Sequence, residues 1–141
     1  MRKGAGAPHA LLPIGPMDKI IIDLDGTLTI DDGSVGYADR LPQTDVIDRL
    51  REYRERGFAI CIYSSRNMRT YAGNVGQINI HTLPVIVDWL KRHDVPYDEV
   101  LVGKPWCGFN GFYVDDRALR PDEFARLSPD EAIHMFGVPT N

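Results

Sequence analysis

Apolar residues along this chain fall into short unbroken runs, separated by longer stretches in which they recur at helical spacing. The short runs predict strands at Ile20–Ile22, Phe58–Tyr63, Val100–Val102 and Phe112–Val114. Because these runs contain no polar alternation, they are typical of strands that are covered on both faces, as in a parallel sheet.

The stretches between the runs predict helices, since their apolar residues recur every three or four positions. One helix is predicted to begin at the capping residue Thr44 and to end at Gly57. Its buried stripe consists of Val46, Ile47, Leu50 and Tyr53. Strands that alternate with helices predict an α/β fold with a mostly parallel sheet.

Two further helices are predicted towards the C-terminus. Thr82 is expected to cap the first, and its core stripe consists of Leu83, Ile86, Val87 and Leu90. Ser128, Pro129 and Glu131 form the start signal of the second. The polar segments 29–43 and 66–81 are predicted to be loops, and a loop as long as 66–81 tends to be functional.

Composition narrows the class of protein. The chain has 141 residues, 43% of them hydrophobic and 26% charged, which is typical of one soluble globular domain. A net charge of -4 without a basic stripe argues against a nucleic-acid partner, and no apolar run is long enough for a membrane span. Cys61 and Cys107 lack metal-type spacing and are interpreted as reduced thiols of a cytoplasmic protein.

The first sixteen residues differ from the rest, because they are rich in Gly, Ala and Pro and show no period. We interpret residues 1–16 as a flexible extension and residues 17–141 as a single domain. Met17 could itself be the start, since the first strand follows it directly.

Polar residues gather where the predicted strands end. They are Asp23 and Asp25 after the first strand, Ser64 after the second, Lys104 after the third, and Asp115 and Asp116 after the fourth. Parallel strands bring their carboxyl ends to one edge of the sheet, where α/β folds bind ligands. Neighbouring carboxylates repel each other unless a cation lies between them, and Mg²⁺ suits such oxygen ligands.

A calcium-binding loop is the alternative interpretation of the segment Asp23–Gly26. Loops of the EF-hand type need acids at fixed offsets and a late glutamate, and Asp31 and Asp32 stand at the wrong spacing. The set of groups instead matches phosphoryl transfer, which depends on in-line positioning and charge neutralisation. It comprises a nucleophilic carboxylate, a second carboxylate, a hydroxyl, a lysine and a metal ion.

Four motifs follow one another along the chain: DLDGTL, an apolar strand with Ser, a Lys, and an apolar strand with DD. This ordered set resembles the haloacid dehalogenase (HAD) superfamily of phosphohydrolases. The resemblance spans residues 20–116 and implies a Rossmann-like core. It implies that Asp23 is the nucleophile forming an aspartyl-phosphate and that Asp25 is the general acid and base. Ser64, or Ser65 in its place, would bind the transferring phosphate, and Lys104 would hold nucleophile and phosphate together.

The resemblance also implies a Mg²⁺ site formed by Asp23, Asp25 through its carbonyl, Asp115 and Asp116. Gly26 and Thr27 would complete the turn after the nucleophile. Residues 17–128 are similar to small bacterial members named capsule biosynthesis phosphatases, which implies a sugar or polyol phosphate as substrate. Candidates for holding the rest of that substrate are Ser65, Arg66, Asn67, Arg69, His81, Trp106 and Arg117.

No large insertion interrupts the motifs, so the resemblance implies a capless enzyme, which could be a homo-oligomer. Three other functions use the same residue types. A receiver-type signalling domain orders its acids differently, with the pair first. A non-catalytic binding subunit usually lacks a motif residue, and a phosphotransferase or mutase would need the same site.

Overall fold

The computed structural model describes residues 13–137, and a parallel three-stranded sheet lies at the centre of that range. Its strands are β1, Lys19–Ile22, β2, Ala59–Ser64, and β3, Glu99–Val102. Both β1 and β3 pair with β2, so the strand order is β1-β2-β3. The predicted α/β class with a parallel sheet is therefore confirmed for these strands.

Helices connect and flank the strands. A short 3₁₀ helix, Tyr37–Asp39, and helix α1, Thr44–Glu55, lie between β1 and β2. Helices α2, Val75–His81, and α3, Leu83–Arg92, lie between β2 and β3. After β3 come α4, Pro121–Arg126, and α5, Pro129–Phe136. None of the described helices has the length and apolar character needed to cross a bilayer.

The core lies between the sheet and the helices that pack on it. All four residues of the predicted α1 stripe are buried, and Tyr53 stacks on Phe124 of α4 with 5.2 Å between ring centroids. In α3 the buried residues are Ile86, Trp89 and Leu90, so the predicted stripe is half right. Trp89 Nε1 donates a hydrogen bond of 2.7 Å to the carbonyl of Arg40, which anchors the loop after β1 to α3.

The loop predicted over residues 66–81 is wrong in its second half, which forms α2. The Asn74 side chain caps this helix by accepting a hydrogen bond of 3.1 Å from the Gln77 N–H. With Ile78 as its single buried residue, α2 has too narrow an apolar stripe for the sequence pattern to reveal it. Helix α4 also went unpredicted.

The fourth predicted strand is not formed, since Phe112–Val114 has no regular structure and pairs with no strand among the described residues. Its side chains lie open to solvent, Phe112 at 79% and Val114 at 87% exposure. The expectation that both faces of β1 are covered is also wrong, because Ile21 is 62% exposed. β1 thus has a neighbour on one edge and none on the other within residues 13–137.

The predicted flexible extension falls mainly outside the described residues, which begin at position 13. The described part forms a turn before β1, in which the Gly15 N–H donates to Asp18 Oδ2 at 2.8 Å.

Candidate active site

A tight turn follows β1 and presents the two carboxylates. The carbonyl of Leu24 accepts three N–H groups, from Thr27 at 3.2 Å, Leu28 at 2.8 Å and Thr29 at 3.0 Å. Gly26 allows this compact turn because its φ of +82° lies in the left-handed region that side chains disfavour. Asp23 and Asp25 therefore lie together beyond the end of β1, as predicted.

Asp23 lies beside Lys104, which follows β3, the strand on the opposite side of the sheet from β1. The Lys104 N–H donates to the carbonyl of Ser64 at 3.1 Å, so the β2–β3 pairing continues one step past the strands. This places Lys104 Nζ 3.6 Å from Asp23 Oδ1, while the Thr27 hydroxyl donates to Asp23 Oδ2 at 3.1 Å. The sequence prediction that these side chains share one edge of the sheet agrees with this geometry.

Burial is the largest influence on the pKa of Asp23, which is raised above its usual value. The Lys104 ammonium, the Thr27 hydroxyl and the Leu24 N–H all act in the opposite direction. The neighbouring Asp25 adds a smaller upward effect. Lys104 is thus the principal group that favours the ionised form of Asp23, which a nucleophile requires.

Asp25 is held by two guanidinium groups. Arg66 grips it with two hydrogen bonds of 2.8 Å, from Nε to Oδ2 and from Nη2 to Oδ1. Arg40 Nη1 lies 3.3 Å from Oδ1, and the Thr29 hydroxyl donates to the same oxygen at 3.2 Å. The Arg66 side chain is only 1% exposed, so this is a buried bidentate pair.

Tyr37 lies between the same two arginines. Its ring centroid is 4.3 Å from the Arg40 guanidinium carbon and 4.2 Å from that of Arg66. Arg40 also contacts Asp31 at 2.7 Å. Sequence reasoning missed both Tyr37 and Arg40, because they lie in the polar segment 29–43, where no periodicity or motif distinguishes them.

The two candidate phosphate-binding serines differ in exposure. Ser64 is 1% exposed, and its hydroxyl oxygen accepts the Arg66 N–H at 3.0 Å. Ser65 is half-buried and interacts with the Tyr113 hydroxyl. Ser64 therefore shapes the turn that carries Arg66, whereas Ser65 lies closer to the surface.

A cavity of about 320 Å³ adjoins the buried pair, with walls from the 3₁₀ helix, the turn after β2 and the start of α3. Its lining residues are Gly36, Tyr37, Ala38, Arg66, Asn67, His81, Thr82 and Val85. Arg66 Nη1 is buried and has no hydrogen-bond partner among the described residues. A polar ligand in this cavity could satisfy it.

Other candidate substrate-binding residues divide between the cavity and the surface. Asn67 and His81 line the cavity, and Asn67 Oδ1 accepts a hydrogen bond of 2.7 Å from the Thr82 hydroxyl. Arg69 instead lies 4.9 Å from the Phe109 ring centroid. Arg117 Nη1 donates to the carbonyl of Phe136 at 2.9 Å, so it contacts the C-terminal helix.

Asp115 and Asp116 are exposed, and the structure does not group them with the first acid pair. Asp115 Oδ1 accepts the Arg117 N–H at 2.8 Å in a local turn. Within residues 13–137 no three acidic, histidine or cysteine side chains are close enough to hold a metal ion. The predicted Mg²⁺ site is therefore not assembled within residues 13–137, although two of its predicted ligands, Asp23 and the carbonyl of Asp25, follow β1 together.

Comparison with known proteins identifies a close relative of this chain. A crystal structure of an MCSG target from Vibrio cholerae has a TM-score of 0.82 and 61% sequence identity, covering 85% of this chain and 97% of the Vibrio chain. A chain from a Pnkp1/Rnl/Hen1 complex is 20% identical with a TM-score of 0.47, over 89% of this chain and 36% of that one. That likeness is too weak to carry an argument.

No protein-family model matches the chain, and the search of curated proteins found no match. The Vibrio cholerae relative is 61% identical over 85% of this chain, a level that unrelated proteins do not reach. The chain therefore belongs to the same family as this Vibrio cholerae protein.

Proposed function

We propose that this protein is a phosphomonoester hydrolase with Asp23 as its nucleophile. The contact that supports this most is the 3.6 Å approach of Lys104 Nζ to Asp23 Oδ1 at the carboxyl edge of the sheet. A carboxylate beside a fixed ammonium, in a partly desolvated mouth, can attack phosphorus while the ammonium balances charge on the phosphoryl oxygens.

The reaction would proceed in two balanced steps. First, an Asp23 oxygen bonds to phosphorus and the bond from phosphorus to the ester oxygen breaks. The departing alcohol takes a proton from Asp25, which must first gain that proton from solvent after leaving a guanidinium contact. Second, a water oxygen bonds to the same phosphorus, Asp25 takes a proton of that water, and the bond between the Asp23 oxygen and phosphorus breaks, which frees phosphate and restores the Asp23 carboxylate. Asp25 must exchange one of its guanidinium contacts for the ester oxygen during this cycle.

Lys104 and a serine would hold the phosphoryl group between these steps. Lys104 would contact both the nucleophile and a phosphoryl oxygen. Ser65 is the better placed hydroxyl, because Ser64 is buried and already accepts the Arg66 N–H. Either Ser64→Ala or Ser65→Ala should raise KM, and the larger effect identifies the phosphate ligand.

A small hydroxylated alcohol is the leaving group that the site suits best. The cavity beside Arg66 measures about 320 Å³, near the lower limit of ligand pockets. Its polar groups include the unpartnered Arg66 Nη1 and the Asn67 amide. These features, with the resemblance to capsule biosynthesis phosphatases, support a sugar or polyol phosphate as substrate. The proposal of a capless HAD-type enzyme that depends on Mg²⁺ rests on that resemblance alone.

The test is phosphate release from a chromogenic monoester, measured with added Mg²⁺ and again with EDTA. We expect turnover only with Mg²⁺, and its loss in Asp23→Asn. Asp32→Asn is the matched control, because Asp32 is exposed on the loop that follows the same turn, and among the described residues its side chain accepts hydrogen bonds from Ser34 alone. Equal turnover by Asp23→Asn and the wild type, in protein free of contaminants, would contradict the assignment.

A further inference from the structure

The guanidinium group of Arg66 has more than one edge that can bind a pair of acceptor oxygens, and Asp25 occupies one of them. Nε and Nη2 of Arg66 donate to the two Asp25 oxygens at 2.8 Å each. A guanidinium carries five N–H groups, so both N–H groups of Nη1 and the second one of Nη2 remain. Nη1 is buried and has no hydrogen-bond partner within residues 13–137. The edge formed by Nη1 and Nη2 is therefore an unused fork for two acceptor oxygens.

This unused fork belongs to the wall of the cavity beside the 3₁₀ helix. Among the described residues, Arg66 lines that cavity and Asp25 does not. The guanidinium therefore presents to the cavity a different side from the one that holds Asp25. The Arg66 side chain is 1% exposed, and a buried donor without an acceptor costs free energy. The unpartnered donors thus point to a ligand with acceptor oxygens.

The charges around the fork favour an acid over a neutral ligand. Two guanidinium groups, Arg40 and Arg66, and one carboxylate, Asp25, are mostly buried, with side-chain exposures of 10%, 1% and 19%. A second carboxylate, Asp31, pairs with Arg40 but is 58% exposed, so water screens its charge. His81, which also lines the cavity, adds no negative charge. The buried groups carry an excess of one positive charge, which a carboxylate would balance.

The rest of the wall sets the size and character of the ligand. The Asn67 amide is already engaged, because it accepts from the Thr82 hydroxyl at 2.7 Å and donates to the Thr70 hydroxyl at 3.2 Å. Val85 and the ring of Tyr37 supply apolar surface. The volume of about 320 Å³ equals that of roughly ten water molecules. These features fit a carboxylate on a short carbon chain.

Tyr37 controls access to the fork. Its ring centroid lies 4.2 Å from the Arg66 guanidinium carbon, so the ring covers the guanidinium. The ring belongs to the 3₁₀ helix Tyr37–Asp39, which has three residues and none of them buried. An element this short with little burial moves at low cost in free energy. A shift of the ring would uncover Nη1 for the ligand.

We propose that this cavity binds the carboxylate of a small hydroxylated acid through the Nη1–Nη2 edge of Arg66. The acid is either the leaving group of the substrate, which is then the phosphate ester of a hydroxy acid, or a separate acid that binds beside the substrate. Its part in catalysis rests on the proposed phosphatase function, because Arg66 connects the cavity to Asp25. Binding itself rests on the unused fork and the buried charge.

NMR tests the binding without reference to activity. The probes are D-gluconate, a six-carbon hydroxy acid, and D-glucitol, in which CH₂OH replaces the carboxylate. We expect gluconate to shift the backbone N–H signals of Ala38, Asn67 and Thr82, which line the cavity, and the Nε–H signal of Arg66. Glucitol should bind about tenfold more weakly, which is the contribution of one hydrogen bond to a charged group. Equal affinity for both probes, or no shift with excess gluconate, would overturn the proposal.

Two variants locate the acid within the cavity. Arg66→Lys keeps the charge but removes the fork, so the affinity for gluconate should fall about tenfold. Val85→Phe fills the cavity and leaves Arg66 in place, so the gluconate shifts should disappear. Ile80→Phe is the matched control, because Ile80 is 65% exposed on α2 and does not line the cavity. If Val85→Phe binds gluconate as Ile80→Phe does, the acid binds elsewhere and the proposal is wrong.

Turnover distinguishes the two sources of the carboxylate. The substrates are 6-phosphogluconate and glucitol 6-phosphate, which differ only at the carboxylate. If the acid is the leaving group, kcat/KM should be about tenfold higher for 6-phosphogluconate. Arg66→Lys should abolish that preference, whereas the disturbance of Asp25 lowers both rates alike. If the acid is separate, gluconate should change the turnover of glucitol 6-phosphate without competing with it.

The two proposals fail in different ways. An active enzyme that shows neither kinetic effect would overturn the part of the acid in catalysis. A wild type without phosphatase activity would refute the proposed function, and the NMR titration would then decide the carboxylate site by itself.

Discussion

The buried pair between Arg66 and Asp25 gives the sharpest test of the site geometry. We consider Arg66→Lys, which keeps the positive charge but removes the planar fork. The two hydrogen bonds from Arg66 to Asp25 are each 2.8 Å long, and the Arg66 side chain is 1% exposed. Lysine offers a point charge and cannot reproduce both bonds at once.

The expected cost follows from the bonds that are lost. A hydrogen bond to a charged group contributes about 1.5–3 kcal/mol, and the substitution removes one of two while the charge remains, so we expect a loss of ~2 kcal/mol. Arg40 stays 3.3 Å from Asp25 Oδ1, which prevents the larger penalty of an unpaired buried carboxylate. For a domain of this length the midpoint of thermal unfolding should fall by roughly 6 °C.

Urea unfolding, followed by tryptophan fluorescence, to which the buried Trp89 contributes, measures this loss. The control is Arg56→Lys, because Arg56 also pairs with an aspartate, Asp130, but both side chains are well exposed. We expect no measurable change in the control. A double-mutant cycle with Asp25→Asn isolates the pair from other contacts of Arg66. If Arg66→Lys unfolds like the control, or if the cycle shows no coupling, the bidentate pair does not exist in solution.

Three further outcomes are expected. Gly26→Ala should destabilise the fold by about 1–2 kcal/mol, because φ is +82° there; the added Cβ would make only an ordinary contact with Asp31 Cβ at 3.8 Å, so the cost is one of backbone strain. Gly33→Ala, with open space around it, should be nearly neutral in the same urea titration. Because the pKa of Asp23 is raised in the folded state, protonation of Asp23 stabilises the fold fully below the unfolded pKa, and this stabilisation is lost as the pH rises through the folded pKa. The stability of Asp23→Asn relative to the wild type, measured in EDTA, should therefore increase from pH 4 to pH 7. A pH-independent difference would contradict this. Burial raises the pKa of the Cys61 thiol to about 11, so a thiol reagent at pH 8 should modify Cys107 first and Cys61 only after unfolding, and equal rates for the two thiols would show that Cys61 is accessible.

Much of the fold could be predicted because buried strands and helices require apolar residues at regular spacings along the chain. The apolar runs in β1, β2 and β3 and the stripe of α1 are read directly from residue spacing. The start of α5 at Ser128 was also predictable, since its hydroxyl accepts the Glu131 N–H at 3.2 Å as a capping box requires. These features depend on a few neighbouring residues and need no knowledge of the rest of the chain.

Contacts between distant segments could not be predicted in this way. Asp25 is held by Arg66 from the turn after β2 and by Arg40 from a loop without periodicity. Neither pairing has a signature in spacing, because the partners meet only when the sheet and α3 position their loops. The Arg40 loop, for example, is anchored by the hydrogen bond from Trp89.

The sequence by itself determined where β1, β2 and β3 and helices α1, α3 and α5 lie along the chain. It also implied that Asp23 and Lys104 share one edge, since parallel strands end on the same side of a sheet. The tertiary structure alone decided that Phe112–Val114 lies open to solvent instead of forming a strand. The physical reason is that a run of apolar residues only favours an extended, buried conformation locally. A strand forms only where the edge of a neighbouring strand pairs with its backbone N–H and C=O groups.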